Sequence, residues 1–116
     1  MKPIVVYIAG KYRGPNAWAI EQNIRAAEDV AAKVWAAGLY ALCPHANARH
    51  MESVAAEDVF LLGTMELMRR CDAVLLMDNW ADSEGAKAEF AEALDRDIPV
   101  FFSLEKLMLW ARPSAG

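Results

Sequence analysis

The chain has 116 residues, of which 56% are hydrophobic and 24% are charged, and its formal net charge is −4. A chain of this length can bury one sizeable core, so we expect a single domain over residues 1–116. The sequence has no basic stripe that could neutralise phosphates, which argues against nucleic acid as the main partner. The two cysteines have no CxxC spacing and no histidine cluster near them, so we expect neither a metal site nor a disulfide. Reduced cysteines favour a cytoplasmic protein, and no apolar run is long enough to cross a membrane.

Apolar runs and helical patterns alternate along the chain, which favours a parallel sheet with right-handed crossovers. The first run is apolar on both faces, as central parallel strands are. In chain order the patterns predict a strand over 4–9, a helix from about 16 to 37, a strand over 39–43, a loop over 45–54, a helix over 55–70, a strand over 73–77, a helix from Ser83 to about 96, a strand over 98–102 and a short helix over 104–111. We therefore predict an α/β fold with a four-stranded parallel sheet.

The spacing of apolar side chains predicts which face of each helix is buried. The expected buried stripe of the first helix is Ile20, Ile24, Ala27, Ala31, Val34 and Trp35. The second helix has Leu61, Met65 and Met68 among its apolar positions, and the third carries Ala86, Phe90, Ala93 and Leu94 on one face. The loops after the first three strands then meet at one edge of the sheet, where ligands bind in open α/β folds. The polar residues of these loops include Lys11, Tyr12, Arg13, His45, Asp78, Ser83 and Glu89.

The loop after the third strand leads into a helix N-terminus. Ser83 is a good N-cap residue, and Gly85 lets a ligand approach the backbone of the first turn. Glu89 lies four residues after Gly85 and three after Ala86, so it shares their side of the helix. Spacing alone leaves two interpretations open: a solvated glutamate, which is the commoner case, or a carboxylate at the mouth of a ligand crevice.

The loop after the first strand contains Gly10-x-x-Arg13-Gly14. Backbone N–H groups, a helix N-terminus and a guanidinium are the ingredients of a phosphate site, although an ordinary turn explains the same pattern. Asn23 falls on the apolar side of the following helix, so its amide either ties down a loop or touches a ligand.

Three further residues are candidates for contact with a ligand. His45 follows Pro44 at a strand end, where it would serve as a general acid or contact a base. Trp80 either stacks on a base or packs against its own fold. Tyr7 lies in a central strand, and its hydroxyl needs a polar partner if it is buried, for which a carboxylate at the sheet edge would serve.

Taken together, these motifs resemble the nucleoside 2-deoxyribosyltransferase-like superfamily, in particular its short bacterial and phage members. The matching stretches, which span nearly the whole chain, are Tyr7-Ile8-Ala9-Gly10-x-Tyr12-Arg13-Gly14, Asn23-Ile24-x-x-Ala27, Pro44-His45, Glu66-Leu67-x-x-x-Cys71-Asp72-Ala73, Ser83-x-Gly85-x-x-x-Glu89 and Ile98-Pro99-Val100. The resemblance implies a Rossmann-like, flavodoxin-type three-layer sandwich and cleavage of an N-glycosidic bond. Glu89 would attack the anomeric carbon, Tyr7 would orient it, and no cofactor is implied.

Within this superfamily, the 2′-deoxynucleoside 5′-monophosphate N-glycosidases grip the phosphate with a loop that Gly10, Arg13 and Gly14 match, and Ser83 matches a serine that also faces phosphate. The resemblance therefore implies a small-molecule nucleotide as substrate, in a protein that forms homodimers. Thr64 stands where those enzymes have an aspartate that helps protonate the leaving base. The residue that would protonate the base in this chain is therefore undecided, with His45 and Asp78 as the candidates. Base exchange between nucleosides and nucleotide binding without turnover are the alternative functions.

Overall fold

A computed structural model describes residues 3–47, 51 and 53–112. Strands and helices follow one another in the predicted order. The elements are β1 (Val5–Ala9), α1 (Ala17–Ala36), β2 (Tyr40–Leu42), α2 (Pro44–Asn47), α3 (Glu57–Arg69), β3 (Ala73–Leu76), a 3₁₀ turn (Trp80–Asp82), α4 (Glu84–Asp95), β4 (Val100–Phe101) and α5 (Leu104–Ala111).

The four strands form one parallel sheet in the order β2-β1-β3-β4. The two central strands, β1 and β3, are almost completely buried, which explains their continuous apolar sequences. In β1, Tyr7 lies opposite Leu42 of β2 and Val74 of β3. The predicted α/β fold with a four-stranded parallel sheet is confirmed.

Helices cover both faces of the sheet and make three layers. Val6 and Ile8 point toward the layer of α1 and α5, where they pack with residues such as Ala27, Val34 and Leu107. The alternate residues of β1 point the other way: Tyr7 and Ala9 pack with Met68 of α3 and Ala93 of α4. Tyr7 therefore faces the layer that also carries Glu89.

Part of the predicted loop at 45–54 is helical, which corrects that prediction. Pro44 begins the one-turn helix α2, where its missing N–H costs no hydrogen bond. The N–H groups of Ala46 and Asn47 bond to the Cys43 carbonyl at 3.1 and 3.0 Å. Residues 48–50 and 52 of the predicted loop, and the C-terminal residues 113–116, lie outside the described residues.

Trp35, predicted to be buried, and Leu94, placed on the apolar face of its helix, are both exposed, and so is Leu61, an apolar position of the second helix. Trp35 packs its ring on Tyr40 of the edge strand β2, with ring centroids 5.6 Å apart, instead of entering the core. α3 meets the core through Met65 and Met68, so Leu61, one turn earlier, stays in solvent. Leu94 follows the buried Ala93 and falls just outside the face that α4 turns to the sheet.

Local signals explain where the first helix begins and ends. The side chain of Asn16 accepts a hydrogen bond from the Ala19 N–H at 2.8 Å, which caps α1. Gly38 follows the helix with a φ of 86°, a left-handed conformation that glycine adopts without strain. Among the described residues, no helix is both long and apolar enough to cross a membrane.

Candidate active site

A tyrosine and a glutamate meet at the carboxyl edge of the sheet. The Tyr7 hydroxyl donates a hydrogen bond to Oε2 of Glu89, and this contact joins residues 82 positions apart. Tyr7 is fully buried in β1, and Glu89 lies in the second turn of α4, partly buried. Of the two orientations that spacing allowed, Glu89 adopts the inward one.

Burial sets the protonation of this pair. It raises the pKa of Glu89 to about 7, and the hydrogen bond from Tyr7 only partly opposes the rise. Burial also raises the pKa of the Tyr7 phenol, and the negative charge of Glu89 raises it further. Near neutral pH the tyrosine is therefore a permanent donor, while the glutamate exchanges between its charged and neutral forms.

Thr64 of α3 lies beside this pair. Its hydroxyl is within hydrogen-bonding reach of the Tyr7 side chain and moderates the rise of the tyrosine's pKa. Its Oγ1 also donates to the Leu61 carbonyl at 3.2 Å. A threonine hydroxyl does not ionise in the physiological range, so it can orient Tyr7 but cannot replace a carboxylic acid.

The loop that follows β1 is held by side chains from three separate elements. The N–H of Lys11 donates to Oδ1 of Asn79 at 3.0 Å, and its carbonyl lies 2.9 Å from Nε2 of His45. The Asn23 amide donates to the carbonyls of Tyr12 and Arg13, both at 3.0 Å. Of the two roles predicted for Asn23, the structure shows the one that ties down a loop.

The two glycines of this loop allow close packing. A Cβ at Gly10 would lie 2.4 Å from Sδ of Met77, and one at Gly14 would lie 2.6 Å from Cβ of Ala19. Both distances are far shorter than a van der Waals contact, so a larger residue would displace the loop.

His45 is buried beneath the loop, with a side chain only 5% exposed. Burial lowers its pKa, so the ring is neutral near pH 7 and its Nε2–H donates to the Lys11 carbonyl. The other ring nitrogen, Nδ1, has no hydrogen-bond partner among the described residues. The rings of Tyr12 and His45 meet in an edge-to-face arrangement, with centroids 5.5 Å apart.

Arg13 extends from the loop toward solvent, and its guanidinium pairs with Glu57 at the start of α3. Both side chains are more than half exposed, at 70% and 59%. This ion pair could not be predicted from the sequence. An acidic residue such as Glu57 is common in the first turn of a helix, because it interacts favourably with the helix dipole, and therefore does not indicate a distant partner.

The remaining predicted site residues surround the start of α4. Ser83 caps this helix, and its Oγ accepts from the Ala86 N–H at 3.1 Å. Around Gly85 there is open space, since a Cβ there would meet only Oγ of Ser83 at 3.8 Å. Trp80 packs on Phe90 and Phe102 at centroid distances of 5.0 and 5.7 Å, so it is part of the fold's own aromatic cluster.

Asp78 is exposed. It borders a depression of about 410 Å³ whose walls include Val30 of α1 and Leu104 of α5, on the opposite face of the sheet from Tyr7. Its neighbour Asn79 was not predicted, although an amide directly after a buried strand is the kind of signal that identifies such a residue. The described residues contain no group of three or more potential metal ligands.

The profile of one protein family, described as a domain of unknown function (DUF4406), matches residues 4–102. The fold is similar to that of a 2-deoxyribosyltransferase from the psychrotolerant bacterium Bacillus psychrosaccharolyticus, with a TM-score of 0.63 and 17% identity over 83% of this chain and 69% of that one. It is also similar to a 2-deoxyribosyltransferase from Leishmania mexicana, with a TM-score of 0.59 and 17% identity over 84% of this chain and 62% of that one. No functionally curated protein matches the sequence significantly.

Proposed function

Since the chain belongs to the DUF4406 family and has the fold of the 2-deoxyribosyltransferases, we propose that it is a nucleotide N-glycosidase. Its substrate would be a ribonucleoside or deoxyribonucleoside 5′-monophosphate. The observation that carries this proposal is the buried Tyr7–Glu89 hydrogen bond, which holds a carboxyl with a pKa of about 7 at the edge where α/β folds bind ligands.

In the first proposed step, the Glu89 carboxylate attacks the anomeric carbon of the sugar. A carbon–oxygen bond forms as the bond to the nucleobase breaks, and the electron pair of that bond leaves with the base, which takes up a proton. Tyr7 holds Oε2 of Glu89 and so orients its other oxygen. In the second step, water attacks the same carbon and the bond to Glu89 breaks, so that its electron pair returns to the carboxylate and the sugar phosphate is released. The proton that water loses balances the one that the base took up.

The phosphate end of the substrate is assigned to the loop after β1. Arg13 supplies the charge, and the two glycines bring the backbone close. In the ligand-free protein, Glu57 neutralises Arg13, so a phosphate would replace one anionic partner of the guanidinium by another.

Base release is the direct test of this proposal. Purified protein is incubated with a panel of nucleoside 5′-monophosphates, and the free base is measured by chromatography. We expect Glu89→Ala to abolish release while nucleotide affinity stays within about tenfold, because this change removes bond-making and leaves the phosphate contacts. Asp95→Ala, at an exposed acidic residue of the same helix, is the matched control and should behave like the wild type. Turnover retained in Glu89→Ala would refute the assignment.

Two other functions give distinct results in the same assay. The names of the similar structures favour transfer, in which a second nucleobase takes the place of water, and then base appears only when an acceptor base is added. Thr64, at the position of the expected acid, favours a binding module, and then nucleotide binds without release of base under either condition.

A further inference from the structure

We infer that Asn79 is a positioning residue, which fixes the phosphate-binding loop through the backbone of Lys11. This inference rests on the proposed function, because it assigns a role to the loop that would hold the phosphate. Its basis is the hydrogen bond of 3.0 Å between the Lys11 N–H and Oδ1 of Asn79, which joins residues 68 positions apart.

Lys11 is held on both sides of its backbone. Asn79 accepts from its N–H, and Nε2 of His45 donates to its carbonyl at 2.9 Å. Each of these side chains comes from the end of a different neighbouring strand, Asn79 from β3 and His45 from β2. The loop is thereby fixed relative to the whole carboxyl edge of the sheet.

The contacts of Asn23 show in which direction the backbone N–H groups of the same loop point. The carbonyls of Tyr12 and Arg13 accept from Asn23, which lies on the α1 side of the loop. The described peptide bonds are trans, and in a trans peptide the N–H points opposite to the carbonyl. The N–H groups of Arg13 and Gly14 are therefore directed away from Asn23, as an anion-binding segment requires.

Asn79 also links the two ends of the proposed site. It lies between β3 and the turn that leads to Ser83 and α4, the helix of the proposed nucleophile. At the contact, a Cβ on Gly10 would come within 3.0 Å of Oδ1 of Asn79, so the absence of a side chain lets the two loops meet. Asn79 is therefore the contact that joins the loop after β1 to the segment leading into the helix of the proposed nucleophile, while Asn23 and His45 hold the same loop from other elements.

A purely structural Asn79 would affect all substrates alike, whereas a positioning residue for the phosphate loop affects only phosphorylated ones. The test compares 2′-deoxyadenosine 5′-monophosphate with 2′-deoxyadenosine in Asn79→Leu, which keeps the branching of the side chain but removes the acceptor. We expect the Kd of the monophosphate to rise about tenfold, the worth of one ordered hydrogen bond, with that of the nucleoside unchanged. Asn47→Leu, at an exposed asparagine of α2, is the matched control and should leave both values unchanged.

Hydrogen exchange supplies a readout that does not depend on any ligand. The Lys11 amide should lose protection in Asn79→Leu and keep it in Asn79→Asp, which retains an acceptor oxygen. If leucine prevents folding, Asn79→Ala removes the same acceptor without adding bulk. Unchanged protection of Lys11, or an equal loss of nucleoside and nucleotide binding, would overturn the inference. If the wild type binds the monophosphate and the nucleoside equally well, the proposed function is wrong. The exchange of the Lys11 amide would then still show whether Asn79 fixes the backbone of the loop.

Discussion

Burial of the Glu89 carboxylate opposes folding when that group is charged. Its pKa of about 7 lies above the ordinary 4.5, because burial disfavours the charged carboxylate. Between these two values the folded protein binds more protons than the unfolded chain does. The contribution of Glu89 to stability is thus complete below pH 4.5 and is lost as pH rises through 7.

Replacing Glu89 should therefore stabilise the protein at alkaline pH. We expect Glu89→Gln to raise the free energy of unfolding at about pH 8 by up to roughly 3 kcal/mol, and to change it little at about pH 5. Urea denaturation at the two pH values measures the difference. Asp95→Asn, at an exposed position of the same helix, is the matched control. An equal effect of Glu89→Gln at both pH values would contradict the raised pKa.

At the scale of elements, the loop after β1 joins a rigid backbone to an exposed charge. Its backbone is bound by Asn23, His45 and Asn79, whereas the guanidinium of Arg13 reaches into solvent and pairs with Glu57. The charge can therefore change partner while the backbone stays in place. This division suits the proposed site, in which an incoming phosphate would replace the Glu57 carboxylate as the partner of Arg13.

We expect Arg13→Ala to weaken the binding of nucleoside monophosphates by about 1.5–3 kcal/mol, the worth of a charge-assisted hydrogen bond. Nucleoside binding should not change, because a nucleoside has no phosphate for Arg13 to contact. Calorimetry on matched nucleotide and nucleoside pairs measures both. Arg25→Ala, at a surface arginine of α1 that pairs with Glu21, is the control. If the wild type binds both ligands equally well, phosphate is not what the loop recognises.

Sequence predicts elements well where the physical signal is local. β1 and β3 are recognisable because strands buried on both faces are continuously apolar, and Asn16, Gly38 and Ser83 mark helix ends by their capping chemistry. The helix α2 could not be predicted in this way, because its four residues are too few to show a period.

Contacts between distant residues carry no local signal. Spacing placed Glu89 on one side of its helix but could not decide between solvent and crevice, because its partner Tyr7 lies 82 residues away. The bond between Lys11 and Asn79 spans 68 residues and was not predicted at all. Periodicity also cannot measure how wide the buried face of a helix is, which is why Trp35 and Leu94 were wrongly placed.

At the scale of the whole molecule, α3 presents apolar side chains to solvent. Val59, Leu61 and Leu62 are 56%, 50% and 71% exposed, although they belong to the helix that carries Thr64. Exposed apolar groups on one helix are typical of a protein–protein interface. We propose that this helix contacts a second copy of the chain, in a homodimer with its interface near the Tyr7–Glu89 pair.

Light scattering coupled to size exclusion tests this proposal. We expect the wild type to have twice the 12.8 kDa mass of one chain, and Leu62→Glu to elute as a monomer because a charge in the interface would be left unpaired. Leu109→Glu, at an exposed leucine of α5 in the other helical layer, should remain dimeric. A monomeric wild type would show that the exposed face of α3 serves another purpose.

Because side chains alternate along β1, the contact between Tyr7 and Glu89 forms only when the strands of the sheet pair in the correct register. Val6 and Ile8 face α1 and α5 while Tyr7 faces α3 and α4. A slip of one residue in strand pairing would turn the phenol to the wrong layer and set an aliphatic group against Glu89. A misaligned chain, however compact, would then lack the donor that orients the carboxylate in the proposed mechanism. Release of base would therefore report that the native strand register has formed.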